Sequence, residues 1–266
     1  MVADFAVLIP ARFASTRYPG KPLATLRGAT GIAKTLVQRS WECASGIEGC
    51  RGVWVATDDE RIAAEVERFG GQVVMTSPEC ANGTERCADA LRTLDCDADV
   101  IVNLQGDAPL TPAWMVPQLV ERLTDDPQLA MTTAAIRCNA TMLEHLQTDE
   151  AAGRVGGTTA VFDRHQRALY FSKRIIPYLP ADARNQAPVF LHLGVYAYRR
   201  AALRDYAAAE PSVLEQSEGL EQLRFLDLGL PVGVCTAEPL GWDPIELNNP
   251  SDVPVIERLL AARGIA

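Results

Sequence analysis

Residues 5–23 read FAVLIPARFASTRYPGKPL, an apolar run followed by a basic loop. Residues 5–10 form a continuous apolar segment, which predicts a strand buried on both faces. The loop contains three cations, Arg12, Arg17 and Lys21, and no acidic residue. In a parallel α/β sheet such a loop leaves the carboxyl end of its strand, where ligands bind. We therefore expect the first strand to place positive charge at a ligand-binding edge.

Further apolar runs alternate with helical patterns along the chain up to about residue 140. Strands are predicted at residues 52–57, 72–76, 99–104 and 129–136, and helices at residues 31–44, 60–69, 84–94 and 114–123. Short continuous strands separated by helices are typical of a parallel sheet with helices on both faces. The pattern predicts a doubly wound, mostly parallel α/β fold.

The pattern changes after about residue 150. Strands are predicted at residues 156–163, 168–172, 192–198 and 232–237, and helices at residues 214–228 and 252–262, with Ser251 as a cap for the last helix. Residues 177–188 form a polar loop that contains prolines. There is no internal repeat or low-complexity linker, so this part is expected to be a smaller subdomain.

Composition excludes several classes of protein. The chain has 266 residues and a mass of 28.8 kDa, which suits one large domain or two small ones. Its 48% apolar and 22% charged residues exclude disorder, collagen-like repeats and coiled coils. With 25 Lys and Arg against 34 Asp and Glu, the net charge of −9 argues against nucleic acid as a partner. An anionic ligand can still bind where positive charge is concentrated.

The seven cysteines are an odd number and include no CxxC pair, so zinc-site spacing is absent. We expect free thiols in a reducing compartment. The apolar run at residues 5–10 lacks a preceding basic region and is too short for a signal sequence or a membrane span. These features predict a cytoplasmic protein without a membrane partner.

Several polar residues stand where the predicted strands end. Gly20 allows the backbone to approach a ligand closely, and Lys21 and Arg12 can donate hydrogen bonds to phosphate oxygens. A solvated basic loop without a ligand would have the same composition. The loop matches neither a Walker A nor a GxGxxG motif, which disfavours P-loop ATPases and dinucleotide oxidoreductases. Asp107 follows the strand at 99–104 and Asp243 follows the last strand. Both suit Mg²⁺, although an Asp after a strand is also a common helix cap.

Two other groups are weaker candidates. Arg86 lies at a predicted helix start, where an anion or a base edge can bind. A late cluster contains Ser172, Lys173, His192, Tyr196, Glu221 and Gln222. A single strand histidine is more often a core residue than a ligand. The other two histidines, His145 and His165, are expected to be structural. The absence of GxSxG and HExxH motifs disfavours hydrolases and zinc proteases.

Together these motifs resemble the 3-deoxy-manno-octulosonate cytidylyltransferases. The resemblance rests on seven segments in order: IPARFASTRYPGKPL, VATDDERIAAEVERFGGQVVMT, NGTERCADAL, VIVNLQGDAPL, ALYFSK, HLGVYAY and LEQLRFL. The resemblance as a whole covers roughly residues 5 to 260. The resemblance implies a nucleotidyltransferase-type α/β fold, with a nucleotide-binding half at 1–140 and an acceptor-binding and dimerisation half at 150–266. It also implies a homodimer, Mg²⁺ as cofactor, and transfer of CMP from CTP to an acidic acceptor with release of pyrophosphate.

The family's functional residues correspond to positions of this chain. For the CTP triphosphate these are Ala11, Arg12, Ser15 and Lys21, and for the cytidine Arg86 and Gln105. Asp107 and Asp243 fall at the metal-binding carboxylates. Among these, Arg12, Lys21, Asp107 and Asp243 would act in catalysis. Lys173, His192, Tyr196, Glu221 and Gln222 fall on the acceptor side.

Departures from the family pattern lie near the acceptor and the metal. Ala108 replaces a Glu, the segment at 157–161 lacks a central Lys, Lys173 replaces an Arg, and Trp242 precedes Asp243. The acceptor is therefore expected to be 3-deoxy-manno-octulosonate, a small phosphonate such as phosphonoformate, or another ulosonic acid. Lys173, His192 and the metal favour an acidic acceptor in each case.

Two other function classes are open. One is a non-catalytic protein that binds CTP, and the other is a uridylyl- or guanylyltransferase acting on a sugar phosphate. By resemblance, the segment at 178–188 falls where the family forms part of its dimer contact. A homodimer is expected on that analogy alone.

Overall fold

The computed structural model describes residues 4–14, 17–107, 109–180, 188–242 and 245–266. The strands are β1 (Phe5–Ala11), β2 (Thr25–Arg27), β3 (Ala33–Thr35), β4 (Cys50–Thr57), β5 (Gln72–Met75), β6 (Val100–Leu104), β7 (Met131–Arg137), β8 (Thr159–Phe162), β9 (Ala168–Ser172), β10 (Phe190–Arg199) and β11 (Val232–Ala237). The helices are α1 (Leu36–Ser45), α2 (Glu60–Arg68), α3 (Gly83–Ala90), α4 (Met115–Asp125), α5 (Ala140–Ala151), α6 (Arg200–Ala208), α7 (Val213–Glu218), α8 (Leu223–Asp227) and α9 (Val253–Ala262). Short 3₁₀ turns occur at Lys21–Leu23 and Pro250–Asp252.

The described residues fall into two compact units. The first contains the chain up to Pro117 together with residues from 245 onward, and the second contains residues 118–242. The C-terminal segment therefore belongs to the first unit, whereas we predicted that it forms part of a second half at residues 150–266. Whether the two units correspond to a nucleotide half and an acceptor half stays a prediction.

The first unit is built on four parallel strands in the order β5–β4–β1–β6. Residues 5–9 of β1 are fully buried, as expected for a strand covered on both faces. Val7 pairs with Val53 on one side and with Val102 on the other. Because the strands are parallel, their carboxyl ends share one edge of the sheet. This edge carries the residues that follow β1, β4, β5 and β6.

The second unit has a mixed sheet. Strand β7 pairs in parallel with β11 and antiparallel with β10, while β8 pairs antiparallel with both β10 and β9. The α/β class and the mostly parallel sheet are as predicted. All seven cysteines are free thiols, also as expected. None of the helices formed by the described residues has both the length and the apolar character needed to cross a bilayer.

The predicted helix at 31–44 is wrong in its first part. Residues Ala33–Thr35 form β3, which pairs antiparallel with β2, and helix α1 begins only at Leu36. Thr35 caps this helix, since its hydroxyl accepts a hydrogen bond from Gln38 N at 3.4 Å. Leu26 of this hairpin packs in a cluster of buried apolar residues. The cluster comprises Leu26, Leu36, Leu110, Leu247, Ile256 and Leu260.

Other helix predictions also differ from the structure. The segment at 214–228 forms two helices, α7 and α8, because Gly219 adopts a left-handed conformation (φ 61°) that ends α7. Ser251 does not cap α9: a 3₁₀ turn capped by Asn249 precedes that helix. Helices α5 and α6 were not predicted. The sequence of α5 lacks a strong apolar periodicity, whereas that of α6 is amphipathic and could have been recognised.

A buried ion pair holds α6, α7 and α8 together. The Arg224 guanidinium donates from Nε and Nη2 to the two carboxylate oxygens of Glu215, each at 2.6 Å. It also packs over the ring of Tyr206 and donates to the Tyr206 and Ala209 carbonyl groups. Glu215 in addition completes a capping box with Ser212 at the start of α7. This network fixes the turn that contains Gln222.

Glu215→Gln should lower the free energy of unfolding by about 3–5 kcal/mol, because it leaves the Arg224 charge buried without an anionic partner. Urea unfolding followed by circular dichroism measures the change. The matched control is Glu144→Gln on the exposed face of α5, which should change stability by less than about 0.5 kcal/mol. A loss below about 1 kcal/mol for Glu215→Gln would show that the pair does not hold this region.

Candidate active site

The basic loop folds back against itself after β1. Gly20 adopts a left-handed conformation (φ 70°) and its N–H donates to the Phe13 carbonyl at 2.9 Å. A Cβ at Gly20 would lie only 3.0 Å from the Phe13 ring, so glycine is required here for space as well as for conformation. Ala11 is the last residue of β1, and Arg12 is exposed directly after it. The turn brings Lys21 back toward the edge of the sheet.

Lys21 and Asp107 form the central ion pair of this edge. Lys21 Nζ donates to Asp107 Oδ2 at 2.7 Å, across 86 residues of sequence. Asp107 lies just after β6, and its carbonyl accepts a hydrogen bond from Leu247 N at 2.8 Å. The pair is partly shielded, since the side chains are 15% and 28% exposed. A cation and a carboxylate are therefore held together where a ligand can still reach them.

Glu246 adds a second carboxylate near Asp107, one that the sequence analysis did not assign. The residue as a whole is exposed, but its carboxyl group is surrounded by protein atoms. This burial raises the pKa of Glu246, and the negative charge of Asp107 raises it further. A hydrogen bond from Asn248 and the charges of Lys21 and Arg17 oppose this shift. The only available signal in the sequence was the position of Glu246 in the acidic segment that contains Asp243.

Arg86 lies in the first turn of α3, at the same edge of the first unit. Its Nη1 donates to Thr76 Oγ1 at 2.6 Å and lies 3.2 Å from Asp58 Oδ1. Gln105 lies next to the start of this helix, because a Cβ on Gly83 would be 3.0 Å from Gln105 Nε2. The structure thus brings Arg86 and Gln105 to neighbouring positions after β5 and β6.

The acceptor-side residues of the sequence analysis all lie in the second unit. Glu218, at the end of α7, accepts hydrogen bonds from Ser172 Oγ at 2.8 Å and from Lys173 N at 2.9 Å. The Lys173 ammonium lies against Gly219, where a Cβ would approach Nζ to 2.8 Å. Glu221, half-buried, follows two residues later. Lys173 therefore lies beside the turn that contains Glu221.

Tyr196 and Gln222 meet inside this unit. The Tyr196 hydroxyl donates to Gln222 Oε1 at 3.5 Å, and the Tyr196 ring lies 5.6 Å from the His192 ring. Gln222 is only 2% exposed, and among the described residues its Nε2 has no hydrogen-bond partner. A buried amide donor without a partner is costly unless a ligand or water accepts from it.

His192 is buried and neutral. Thr133 Oγ1 donates to the Val195 carbonyl at 2.9 Å and lies 2.8 Å from His192 Nε2. Since its proton is used, this hydroxyl accepts from Nε2–H, which fixes the tautomer. Burial lowers the pKa of His192 to about 3. A neutral His192 would contact an acidic acceptor by hydrogen bonding and not by positive charge, and its place on the acceptor side stays a prediction.

Comparisons with known proteins show the family to which the chain belongs. A family model described as cytidylyltransferase matches residues 6–230. The 3-deoxy-manno-octulosonate cytidylyltransferase of Maricaulis maris is 42% identical over 257 residues, which cover 97% of each chain. The chain belongs to this cytidylyltransferase family. The 8-amino-3,8-dideoxy-manno-octulosonate cytidylyltransferase of Shewanella baltica is also similar, with 40% identity over 97% of this chain and 99% of that protein.

A solved structure supports the same conclusion. CMP:2-keto-3-deoxy-manno-octonic acid synthetase complexed with CTP matches 98% of this cytidylyltransferase and 100% of its own chain, with 32% identity and a TM-score of 0.84. The chain is thus an enzyme of the nucleotidyltransferase fold.

The individual site assignments stay predictions. The structure groups Arg12, Lys21, Asp107, Arg86 and Gln105 at one edge of the first unit, and the five acceptor-side residues in the second. Ser15, Ala108 and Asp243 lie outside the described residues. Within the described ranges no group of three or more His, Cys, Asp or Glu forms a metal cluster.

The neutral state of His192 should make the protein sensitive to acid. The unfolded chain binds a proton at His192 as the pH falls below its ordinary pKa of 6.5, whereas the folded protein resists protonation down to about pH 3. The stability advantage of the wild type over His192→Gln should therefore shrink by about 2 kcal/mol between about pH 7.5 and pH 5.

Urea titrations at the two pH values measure this difference, with the exposed His145→Gln as control. A constant difference between wild type and His192→Gln, or an NMR signal of a protonated His192 ring at about pH 5, would contradict the assignment.

Proposed function

We propose that this enzyme transfers CMP from CTP to 3-deoxy-manno-octulosonate and releases pyrophosphate. The observation that carries the proposal is the Lys21–Asp107 pair at the carboxyl edge of the first unit's sheet. The pair combines a cation that can bind phosphate with a carboxylate. The chain matches cytidylyltransferases named for octulosonates over nearly their full length. The two other function classes, a non-catalytic protein that binds CTP and a uridylyl- or guanylyltransferase, lack comparable support.

The nucleotide would be held by residues of the first unit. Arg12 and Lys21 neutralise the triphosphate, with Ala11 and Ser15 lining the same loop by resemblance. Arg86 and Gln105 hold the cytidine. Because the overall charge is −9, these cations are needed to offset repulsion of the tetra-anionic nucleotide.

The carboxylates suit Mg²⁺ as the cofactor. Asp107 and Glu246 lie close enough for the charge of one to raise the pKa of the other, which is the kind of repulsion that a bound cation relieves. Their oxygens are ligands of the type that Mg²⁺ prefers. Asp107 and, by resemblance, Asp243 would hold the ion. When bound, Mg²⁺ supplies charge neutralisation and can lower the pKa of a coordinated acceptor hydroxyl.

The chain's own residues contribute position and charge. An acceptor oxygen forms a bond to the α-phosphorus while the bond to the departing pyrophosphate breaks. Negative charge grows on the phosphate oxygens and on the leaving group, where Lys21 and Arg12 can stabilise it. The Asp107 carboxylate occupies one of the three N–H donors of the Lys21 ammonium. The remaining donors would be available to phosphate oxygens, which would then share the charge of Lys21 with Asp107.

Residues of the second unit would bind the acceptor. Lys173 supplies the positive charge for a sugar-acid carboxylate, and Gln222 offers its unused Nε2–H to a hydroxyl or carboxylate oxygen. Tyr196, Glu221 and neutral His192 provide further polar groups. Since His192 is uncharged, Lys173 alone among these five carries positive charge.

The relatives favour an eight-carbon ulosonic acid over a small phosphonate. Both the 3-deoxy and the 8-amino-3,8-dideoxy octulosonates are named substrates of enzymes about 40% identical to this chain. We also propose a homodimer in the cytoplasm. The proposed dimer contact involves Tyr178, whose side chain is strongly exposed next to the segment at 181–187.

Release of pyrophosphate from CTP in the presence of Mg²⁺ should require an octulosonate as the acceptor. We expect turnover with 3-deoxy-manno-octulosonate at least about tenfold faster, in kcat/KM, than with phosphonoformate, which lacks the sugar hydroxyl groups, because each missing hydrogen bond costs about 1–3 kcal/mol. The 8-amino analogue is assayed beside these two acceptors. Phosphorus NMR of the product identifies the CMP ester. Turnover with phosphonoformate alone would contradict the acceptor, and no turnover with any of the three would contradict the proposed function.

A further inference from the structure

Asp58 lies at the nucleotide edge of the first unit without an assigned role. It follows β4 directly, and its Oδ1 lies 3.2 Å from Nη1 of Arg86. This contact is an ion pair without hydrogen-bond geometry: Oδ1 is a buried oxygen that accepts no hydrogen bond from any described residue. Oδ1 itself is covered, whereas the side chain as a whole is 17% exposed.

Arg86 presents the complementary groups beside it. The residue is 2% exposed, and its Nη1 is occupied by Thr76 Oγ1 at 2.6 Å. Within the described part of the chain, Nε and Nη2 make no hydrogen bond to protein. A carboxylate acceptor and guanidinium donors thus stand side by side, and both have capacity left for a ligand.

This order of acceptor and donors matches one pyrimidine and opposes the other. Cytosine presents an amino donor at C4, followed by two acceptors, N3 and O2, and carboxylates are suitable partners for its amino group. Uracil presents an acceptor at C4 and a donor at N3. Against uracil, the Asp58 carboxylate would face a carbonyl oxygen and the Arg86 donors would face an N–H.

We propose that Asp58 determines base specificity, accepting a hydrogen bond from the 4-amino group of cytosine while Arg86 donates to N3 or O2. The proposal rests on the proposed function, since it assumes that Arg86 holds the base of CTP. It adds the residue that distinguishes CTP from UTP. A buried polar group that loses its partner with the wrong substrate gives strong discrimination.

The alternative is that Asp58 only positions Arg86. Thr76 also contacts Arg86 but carries no charge and accepts only from Nη1. Thr76→Val therefore disturbs the position of Arg86 without changing the acceptor offered to the base. The two roles differ in one quantity, the ratio of kcat/KM for CTP to kcat/KM for UTP.

The experiment measures pyrophosphate release with CTP and with UTP at saturating acceptor. In Asp58→Asn, the amide can donate to the uracil carbonyl, and the CTP/UTP ratio should fall about 10- to 100-fold. In Thr76→Val, both values should fall together and the ratio should stay within about twofold. Asp99→Asn, at the amino end of β6, is the control for loss of an acidic residue. An unchanged ratio in a folded Asp58→Asn enzyme would overturn the proposal.

A second measurement does not depend on the variant folding. The wild-type enzyme is assayed with the triphosphate of the 2-pyrimidinone nucleoside, which lacks the 4-amino group and keeps N3 and O2. We expect kcat/KM at least about tenfold below that for CTP, since one charged hydrogen bond is lost. Equal use of the two nucleotides would overturn the proposal. Absence of turnover with CTP itself would instead contradict the proposed function and is thus distinguishable.

Discussion

The ion pair between Lys21 and Asp107 is the interaction on which the arrangement of the first unit depends. It joins the loop after β1 to the segment after β6, and these two strands are neighbours in the sheet. Parallel pairing brings both segments to one edge, and Gly20 turns the loop so that Lys21 can reach it. Without nucleotide, the two charges neutralise each other. With nucleotide, each would find a stronger partner, Lys21 in the phosphates and Asp107 in a divalent cation.

The second unit relies on buried polar groups instead of exposed charge. Glu215 and Arg224 fix the turn that contains Gln222, while Thr133 holds His192 in one tautomer. Such networks are rigid only if each member is satisfied, and among the described residues of this network Gln222 Nε2 has no hydrogen-bond partner. If these residues bind the acceptor as proposed, hydrogen bonding would select it and Lys173 would supply the electrostatic attraction. This division would explain how an acidic protein can bind two anionic substrates.

Much of the first unit could be predicted from the sequence because its strands are continuous apolar runs. β1, β5 and β6 were predicted within one or two residues, and Lys21 and Asp107 were expected to lie where these strands end. Contacts between distant segments were not predictable: β3 forms only because β2 is available to pair with it. The neutral state of His192 and the proximity of Asp58 to Arg86 likewise depend on packing between elements. The resemblance supplied functional roles but neither charge states nor these pairings.

Removing the charge of Asp107 tests the central claim most directly. In Asp107→Asn, turnover of CTP should fall at least about 100-fold, the scale expected when transition-state stabilisation is lost. CTP binding measured by calorimetry in EDTA should be retained or tightened, because Lys21 loses its ion pair with Asp107 and its charge is more available to the phosphates. Asp99→Asn, just before the amino end of β6, should leave both quantities unchanged. Turnover near the wild-type level in Asp107→Asn would contradict the account.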